Sequence, residues 1–249
     1  MTSKLHLEIV GNGPPLVLLH GWGWHSGVFL PILPQLAEKF QLFLIDLPGF
    51  GKSPLLTDDY TFENIISLIF KHVPEKAAWL GWSLGGMIAW WAAIHYPEKV
   101  TRLITIASTP KFMSDSNWPG VSEVTLEKFS AALTTNYEKT LQDFLALQLR
   151  GSHDPALITA LQRQIISTPP SALPALQKSL ALLSESDLRP GLANITVPSL
   201  HFFGSIDTLV PVNAALQLQE RIAHGRCEII KRAGHLLFLS HSKEFLSHW

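Results

Sequence analysis

Three side chains able to carry out acyl transfer follow one another along the chain. Ser83 lies in Gly81-Trp82-Ser83-Leu84-Gly85, Asp207 in GSIDTLVP and His235 in KRAGH. A serine hydroxyl is a weak nucleophile until a general base takes its proton, and that base needs an acid to orient it and stabilise its charged form. On a parallel sheet these partners come in the order Ser, Asp or Glu, His, each just past a strand end. Asp207 follows the apolar run SLHFF and His235 follows CEII, so both meet that demand. Asp187 stands before a strand and fits less well. His241 opens a helix and is expected to be a surface or capping residue.

Ser83 is the one hydroxyl in WLGWSLGGMIAWW, between two glycines. The run Ala77–Trp82 predicts a strand and Leu84–Tyr96 a helix, apolar nearly all round and therefore buried. A sharp strand-to-helix turn forces the serine into strained backbone geometry and lifts Oγ clear of the sheet, and small neighbours avoid clashes. The helix N-terminus then offers backbone N–H groups to a developing negative charge. A second donor is expected from PLVLLHGWGWHS, where Gly21-Trp22-Gly23 turns the chain after a strand. The oxyanion hole would be the amides of Trp22 and Leu84. His20 is expected to brace this loop, and Asp46 in DLPGFGKS to fix the turn that follows it. The remaining histidines (His6, His25, His72, His95, His153, His201, His224 and His248) read as structural or solvated. No spacing suggests a metal site, and the chemistry requires no cofactor.

These residues need a scaffold that sets several strand ends side by side. KLHLEI alternates as a half-exposed strand does, and PLVLLH, QLFLID, AAWLGW, RLITIA, SLHFF and CEII are runs apolar on both faces, as in parallel strands covered by helices. ENIISLIFKHV, NAALQLQERIAH and HSKEFLSHW read as helices between or after them. The alternation predicts an α/β protein with a mostly parallel, doubly wound sheet. It stops between Lys111 and Pro190, where VTLEKFSAALTTNYEKTLQDFLALQ, ALITALQRQII and ALPALQKSLALL give only amphipathic helices. Residues 1–110 and 191–249 are thus expected to form the core, and 111–190 a helical cap over the carboxyl ends of the strands.

Composition agrees with one α/β domain carrying an insertion. Of the 249 residues 47% are apolar and 16% charged, enough for a large core. A formal net charge of −1 gives no electrostatic case for nucleic acid or an anionic membrane. The single cysteine, Cys227, forms no internal disulfide and suits a reducing compartment. MTSKLHLEIV has no apolar run after its lysine, so no signal peptide is evident and a cytoplasmic protein is expected; a monomer is the expected state.

Together HGWG, DLPGFGKS, GWSLGG, the Asp207–His235 pair and the helical insertion resemble the α/β-hydrolase superfamily across essentially the whole chain. LVLLHGWG, WLGWSLGG, the WPG at Trp118–Gly120 and FLALQ at Phe144–Gln148 further resemble its biotin-pathway methyl ester esterases, which act on a pimeloyl chain held by an acyl-carrier protein. The resemblance implies release of methanol from that ester. It implies substrate contacts at Trp22, Ser83, Leu84, Phe144, Leu145, Ala146, Leu147, Gln148 and His235. It also implies an acyl-carrier protein as partner, and carrier docking uses basic residues on the cap. From Val121 to Leu180 the chain sets Lys128, Lys139, Arg150, Arg163 and Lys178 against Glu123, Glu127, Glu138, Asp143 and Asp154, a neutral balance. Lys139 and Arg150, flanking FLALQ, are the first candidates. Phe129, Leu133, Phe144, Leu145 and Leu147 would share the lining of an acyl channel and the cap's own core. Fold and triad leave small esters, lactones and carbon–carbon bonds open as substrates, and a hydrolase-derived ligand receptor as another role. Dehalogenases of this fold use an aspartate nucleophile, whereas position 83 is serine.

Overall fold

The computed structural model describes residues 4–152, 154–166 and 173–249; His153 and the stretch 167–172 lie outside it. Seven strands form one sheet: β1 (Leu7–Val10), β2 (Pro15–Leu19), β3 (Gln41–Ile45), β4 (Ala77–Trp82), β5 (Val100–Ile106), β6 (Ser199–Gly204) and β7 (Gly225–Ile230). Their spatial order is β1-β3-β2-β4-β5-β6-β7. Only β1 runs antiparallel, with Leu7 opposite Ile45, and the other pairs are parallel. The central strands are buried on both faces, as their unbroken apolar runs require, and β1 and β7 take the half-exposed edges.

The helices are α1 (Leu33–Ala37), α2 (Phe62–Phe70), α3 (Leu84–His95), α4 (Glu123–Thr135), α5 (Tyr137–Gln148), α6 (Pro155–Ile166), α7 (Leu173–Glu185), α8 (Asn213–Gln219), α9 (Leu237–Ser240) and α10 (Ser242–Leu246). The long helical reading over Val124–Gln148 divides into α4 and α5 at Asn136, whose backbone leaves the helical region at φ −146°, ψ 69°. Just before it, the hydroxyls of Thr134 and Thr135 turn back onto the carbonyls of Ser130 and Ala131. Such side chains compete for backbone partners and weaken a helix where they cluster. α8 stops at Gln219, short of the predicted His224.

The chain passes from β2 out to β3 and crosses back to β4 on the other side of β2. A crevice opens at the carboxyl ends of the strands where the winding direction switches, and open α/β sheets place their sites there. The loops after β2 and β4 border it. Helices α4–α7 lie between β5 and β6 in sequence and reach loops at this same end of the sheet. Trp22 Nε1, after β2, donates to the Leu176 carbonyl of α7 at 2.9 Å, and Trp24 Nε1 donates to Gln148 Oε1 of α5 at 2.7 Å. Among the described residues no helix is long and apolar enough to cross a membrane.

Candidate active site

Ser83 ends β4 in a conformation that L-residues rarely adopt, φ 54° and ψ −115°. Its own N–H donates to the Ile106 carbonyl at 2.9 Å, its carbonyl accepts from Ser108 Oγ at 2.8 Å, and Gly86 N–H closes the turn onto that carbonyl at 2.9 Å. These bonds hold the strain in place. The glycines are explained by what lies against them. A Cβ on Gly81 would stand 2.1 Å from the Gly85 carbonyl oxygen, and one on Gly85 2.2 Å from that of Leu19. Backbone therefore crosses backbone tightly at the elbow, which brings the loop after β2 beside the serine. Ser83 itself is half-buried, and its Oγ has no protein hydrogen-bond partner among the described residues.

Asp207 and His235 meet although 28 residues separate them. Asp207 Oδ1 accepts from the N–H groups of Leu209 (2.8 Å) and Val210 (3.1 Å), leaving Oδ2 to take the His235 Nδ1 bond at 2.8 Å. Both side chains are almost wholly buried, at 1% and 2% exposure. With Nδ1 committed to the carboxylate, the other nitrogen of the imidazole is Nε2, which is buried and makes no hydrogen bond among the described residues. A base poised for a proton has this arrangement, and its bond to the nucleophile commonly tightens only with substrate bound.

Leu84 is the first residue of α3, so its N–H has no acceptor within the helix and lies at the positive end of the helix dipole. On the facing loop, a Cβ on Gly21 would sit 3.2 Å from Ser83 Cβ, so the Gly21-Trp22-Gly23 turn borders Ser83. His20 and Asp46 clamp this loop. His20 Nε2 accepts from Leu47 N–H at 2.9 Å, so Nδ1 carries the proton and donates to the Gly21 carbonyl at 2.8 Å. Asp46 accepts from Ser26 N–H (2.8 Å) and Lys52 N–H (2.9 Å). Burial works to raise the Asp46 pKa, but neighbouring His20 and the bonds from Lys52 and Ser26 outweigh it and hold the carboxyl below its usual range.

Burial alone holds His201 down to about 3, and burial against a partly offsetting Asp46 holds His20 at about 4. His201 lies flat on the Trp90 ring at 4.3 Å between the hydroxyls of Thr105 and Ser199. Both histidines stay neutral in the folded protein at pH values where those of the unfolded chain, which titrate near 6.5, already bind a proton. Stability is therefore full above pH 6.5 and declines as pH falls through 6.5 toward 4 and 3. At pH 5 the expected loss is on the order of 2 kcal/mol from each. Thermal melts at pH 7.5 and 5 check this: a lower Tm at pH 5 is expected, and an equal or higher one contradicts it.

The cap residues named from the sequence fall in several places. Phe144 packs edge-on against the Trp22 ring at 5.1 Å, and Phe129 joins them at 5.4 Å from Trp22. Leu133 and Leu145 are buried in the same hydrophobic cluster as the sheet residues, and Leu147 is half-buried. Gln148 is 1% exposed and spends its Oε1 on Trp24. Ala146 is exposed, two residues and half a turn away from Phe144 and Gln148. Lys139 and Asp143 form an exposed ion pair at 2.6 Å, and Arg150 is exposed. Outside the triad, Asp187 belongs to a surface network with Arg189 and Lys111, and the His241 side chain bonds Ser240 rather than capping α10. A cleft of about 570 Å³ lined by His6, Trp24, His25, Asp46, Phe50 and Lys52 includes none of the triad residues.

Sequence reasoning gave no role to Trp24, Trp82 or Ser108. Trp82 Nε1 donates to the His235 carbonyl at 3.0 Å, and its ring lies 5.5 Å from the imidazole. The signal available was position: Trp82 directly precedes Ser83, and Trp24 belongs to the loop after β2.

Comparison with known proteins agrees with this fold. The family model of the alpha/beta hydrolase fold matches residues 14–242. The pimeloyl-[acyl-carrier protein] methyl ester esterase of Edwardsiella ictaluri is 41% identical over 245 residues, covering 98% of this chain and 95% of that protein. The esterase of the same name from Shewanella woodyi is 40% identical over 250 residues, covering 99% and 96%. Among solved structures, an esterase from Exiguobacterium antarcticum superposes with a TM-score of 0.89 at 25% identity over 99% of this chain and 94% of that one. An enol-lactonase from Burkholderia xenovorans, at 19% identity and a TM-score of 0.83 over 98% and 94%, shares the fold. The chain belongs to the alpha/beta hydrolase family, in the branch of carboxylic ester hydrolases that these methyl ester esterases form.

Proposed function

We propose that this chain hydrolyses the methyl ester of pimeloyl-[acyl-carrier protein], giving pimeloyl-[acyl-carrier protein] and methanol. The observation that carries the reading is the full-length similarity to esterases of that name, joined to a buried Asp207–His235 pair and a strained Ser83. As Ser83 Oγ bonds to the ester carbon, its proton passes to His235 Nε2, with Asp207 holding the imidazole and stabilising its charge. The amides of Trp22 and Leu84 take the negative charge on the carbonyl oxygen. The C–OCH3 bond breaks, and the departing methoxy oxygen receives the proton from His235. Water then gives a proton to His235 as it attacks the acyl-enzyme, which releases the carboxylic acid and restores Ser83. No cofactor enters.

Residues 111–190 act in this reading as the cap, and the segment Phe144–Gln148 borders the acyl chain through Phe144 and Leu147, while Ala146 is exposed and Gln148 Oε1 is held by Trp24. The Trp22–Phe129–Phe144 cluster supports an apolar channel there. The carrier protein docks on the cap, the protein works as a cytoplasmic monomer, and Arg150 is the better docking candidate because Asp143 compensates Lys139. The test compares kcat/KM for methyl-pimeloyl-[acyl-carrier protein], free methyl pimelate and a short p-nitrophenyl ester. The carrier-bound ester is expected to be preferred by at least about 100-fold, roughly 3 kcal/mol of transition-state binding contributed by the carrier and its arm. Equal or lower kcat/KM for the carrier-bound ester would overturn the assignment and leave a general esterase.

A further inference from the structure

His235 is held from two directions, and both lead to the C-terminal end of α5. The first route runs through side chains. Gln148 Oε1 accepts the Trp24 indole N–H at 2.7 Å, the Trp24 ring meets Trp82 edge-on at 5.6 Å, and Trp82 meets His235 through its ring and its N–H. Trp24, Trp82, Gln148 and His235 are each at most 2% exposed, so the chain of contacts runs through buried side chains. The second route is backbone on backbone. A Cβ on Gly234, the residue before the base, would stand 2.1 Å from the Arg150 carbonyl oxygen, and one on Gly151 would stand 2.7 Å from that of Arg232. The α5 terminus is therefore packed directly onto the loop that carries the imidazole.

We propose that Gln148 and Trp24, acting through Trp82, are positioning residues for the general base, so that seating α5 of the cap on the Trp24 indole fixes the His235 imidazole toward Ser83. A buried hydrogen bond between two neutral groups is directional, and losing one partner leaves the other, almost wholly buried, without its bond. Trp24 then has no preferred orientation against Trp82, and the Trp82 bond to the His235 carbonyl loosens with it. The cap in this account aligns the base as well as covering the substrate. The proposal rests on the reading of Ser83 and His235 as nucleophile and base.

The test uses the full chain with Gln148→Met, which keeps the length of the side chain but accepts no bond, and Trp24→Phe, which keeps a ring against Trp82 but donates none. The double variant completes the cycle, and Trp82→Phe supplies an independent break nearer the base. Steady-state kinetics with a short p-nitrophenyl ester and with methyl-pimeloyl-[acyl-carrier protein] are read beside Tm. Each single variant is expected to lose about 10- to 100-fold in kcat on both esters, the scale of a small misplacement at a reacting centre. KM should change less than about threefold, and the double variant should lose no more than the worse single one, since both break one bond. Unchanged kcat in Gln148→Met overturns the proposal. So does a loss confined to KM, which would make Gln148 a substrate contact, or single losses that multiply in the double variant. Wild-type activity that survives Ser83→Ala overturns the underlying reading as well; Ser83-dependent activity with unaffected variants overturns this proposal alone.

Discussion

Ser83→Ala is expected to lower kcat for methyl ester hydrolysis on the order of 10⁵-fold and to leave the fold intact. The two halves of this expectation come from different observations. Oγ is the only atom removed, and it bonds to no protein group among the described residues, so folding loses nothing there. The bonds that hold the elbow use the Ser83 backbone N–H and carbonyl, both of which alanine retains. Alanine also keeps the Cβ, so the positive φ costs no more than before. Catalysis, by contrast, loses its only covalent route, and residual turnover must come from binding and the oxyanion donors. Steady-state kinetics and a thermal melt on one preparation check both halves: Tm within a few degrees of the parent, with activity near background.

Asp207→Asn is expected to cost about 10⁴-fold in kcat, again with little change in Tm. The asparagine oxygen can still accept from the N–H groups of Leu209 and Val210, so the loop after β6 keeps its shape. The other end of the amide then presents NH2 groups where Oδ2 met His235 Nδ1. Nδ1 must become the acceptor, the ring proton moves to Nε2, and the nitrogen facing the nucleophile no longer has a lone pair to take a proton. Any imidazolium that forms has also lost its buried counter-charge. The check is kcat with KM alongside: KM should stay close to the parent value because Asp207 lies behind His235. A variant within tenfold of the parent in kcat would show that His235 needs no orienting acid.

The sheet, the strained turn at Ser83 and the Asp207–His235 pair were legible because their signals are local and chemical. Strands buried on both faces write unbroken apolar runs, so β2 to β6 could be read within a residue or two at most ends. The strand–glycine–serine–glycine–helix order around Ser83 carries its backbone strain in the sequence. Asp207 and His235 were found by topology, as strand-end residues in the required order. Other features depend on packing that no local pattern records. The break between α4 and α5 needed the hydroxyls of Thr134 and Thr135 and the backbone of Asn136 to be weighed against strong helical periodicity. Gln148 sits in a helix as an ordinary polar residue, and its partner Trp24 is 124 positions away. Trp82 reads as one more apolar residue until its indole N–H is seen on the His235 carbonyl. Ala146 shares FLALQ with Phe144 and Gln148, but helical geometry points it to solvent.

The central claim is that Ser83 is the nucleophile and His235 the base that activates it. The most direct measurement is covalent labelling with a small fluorophosphonate, followed by peptide mass mapping and residual methyl ester hydrolysis on the same samples. One adduct per chain, on Ser83, with activity falling in proportion to labelling and with labelling abolished in His235→Ala, is the result expected. An adduct on another residue, or full activity in protein labelled on Ser83, would contradict the account.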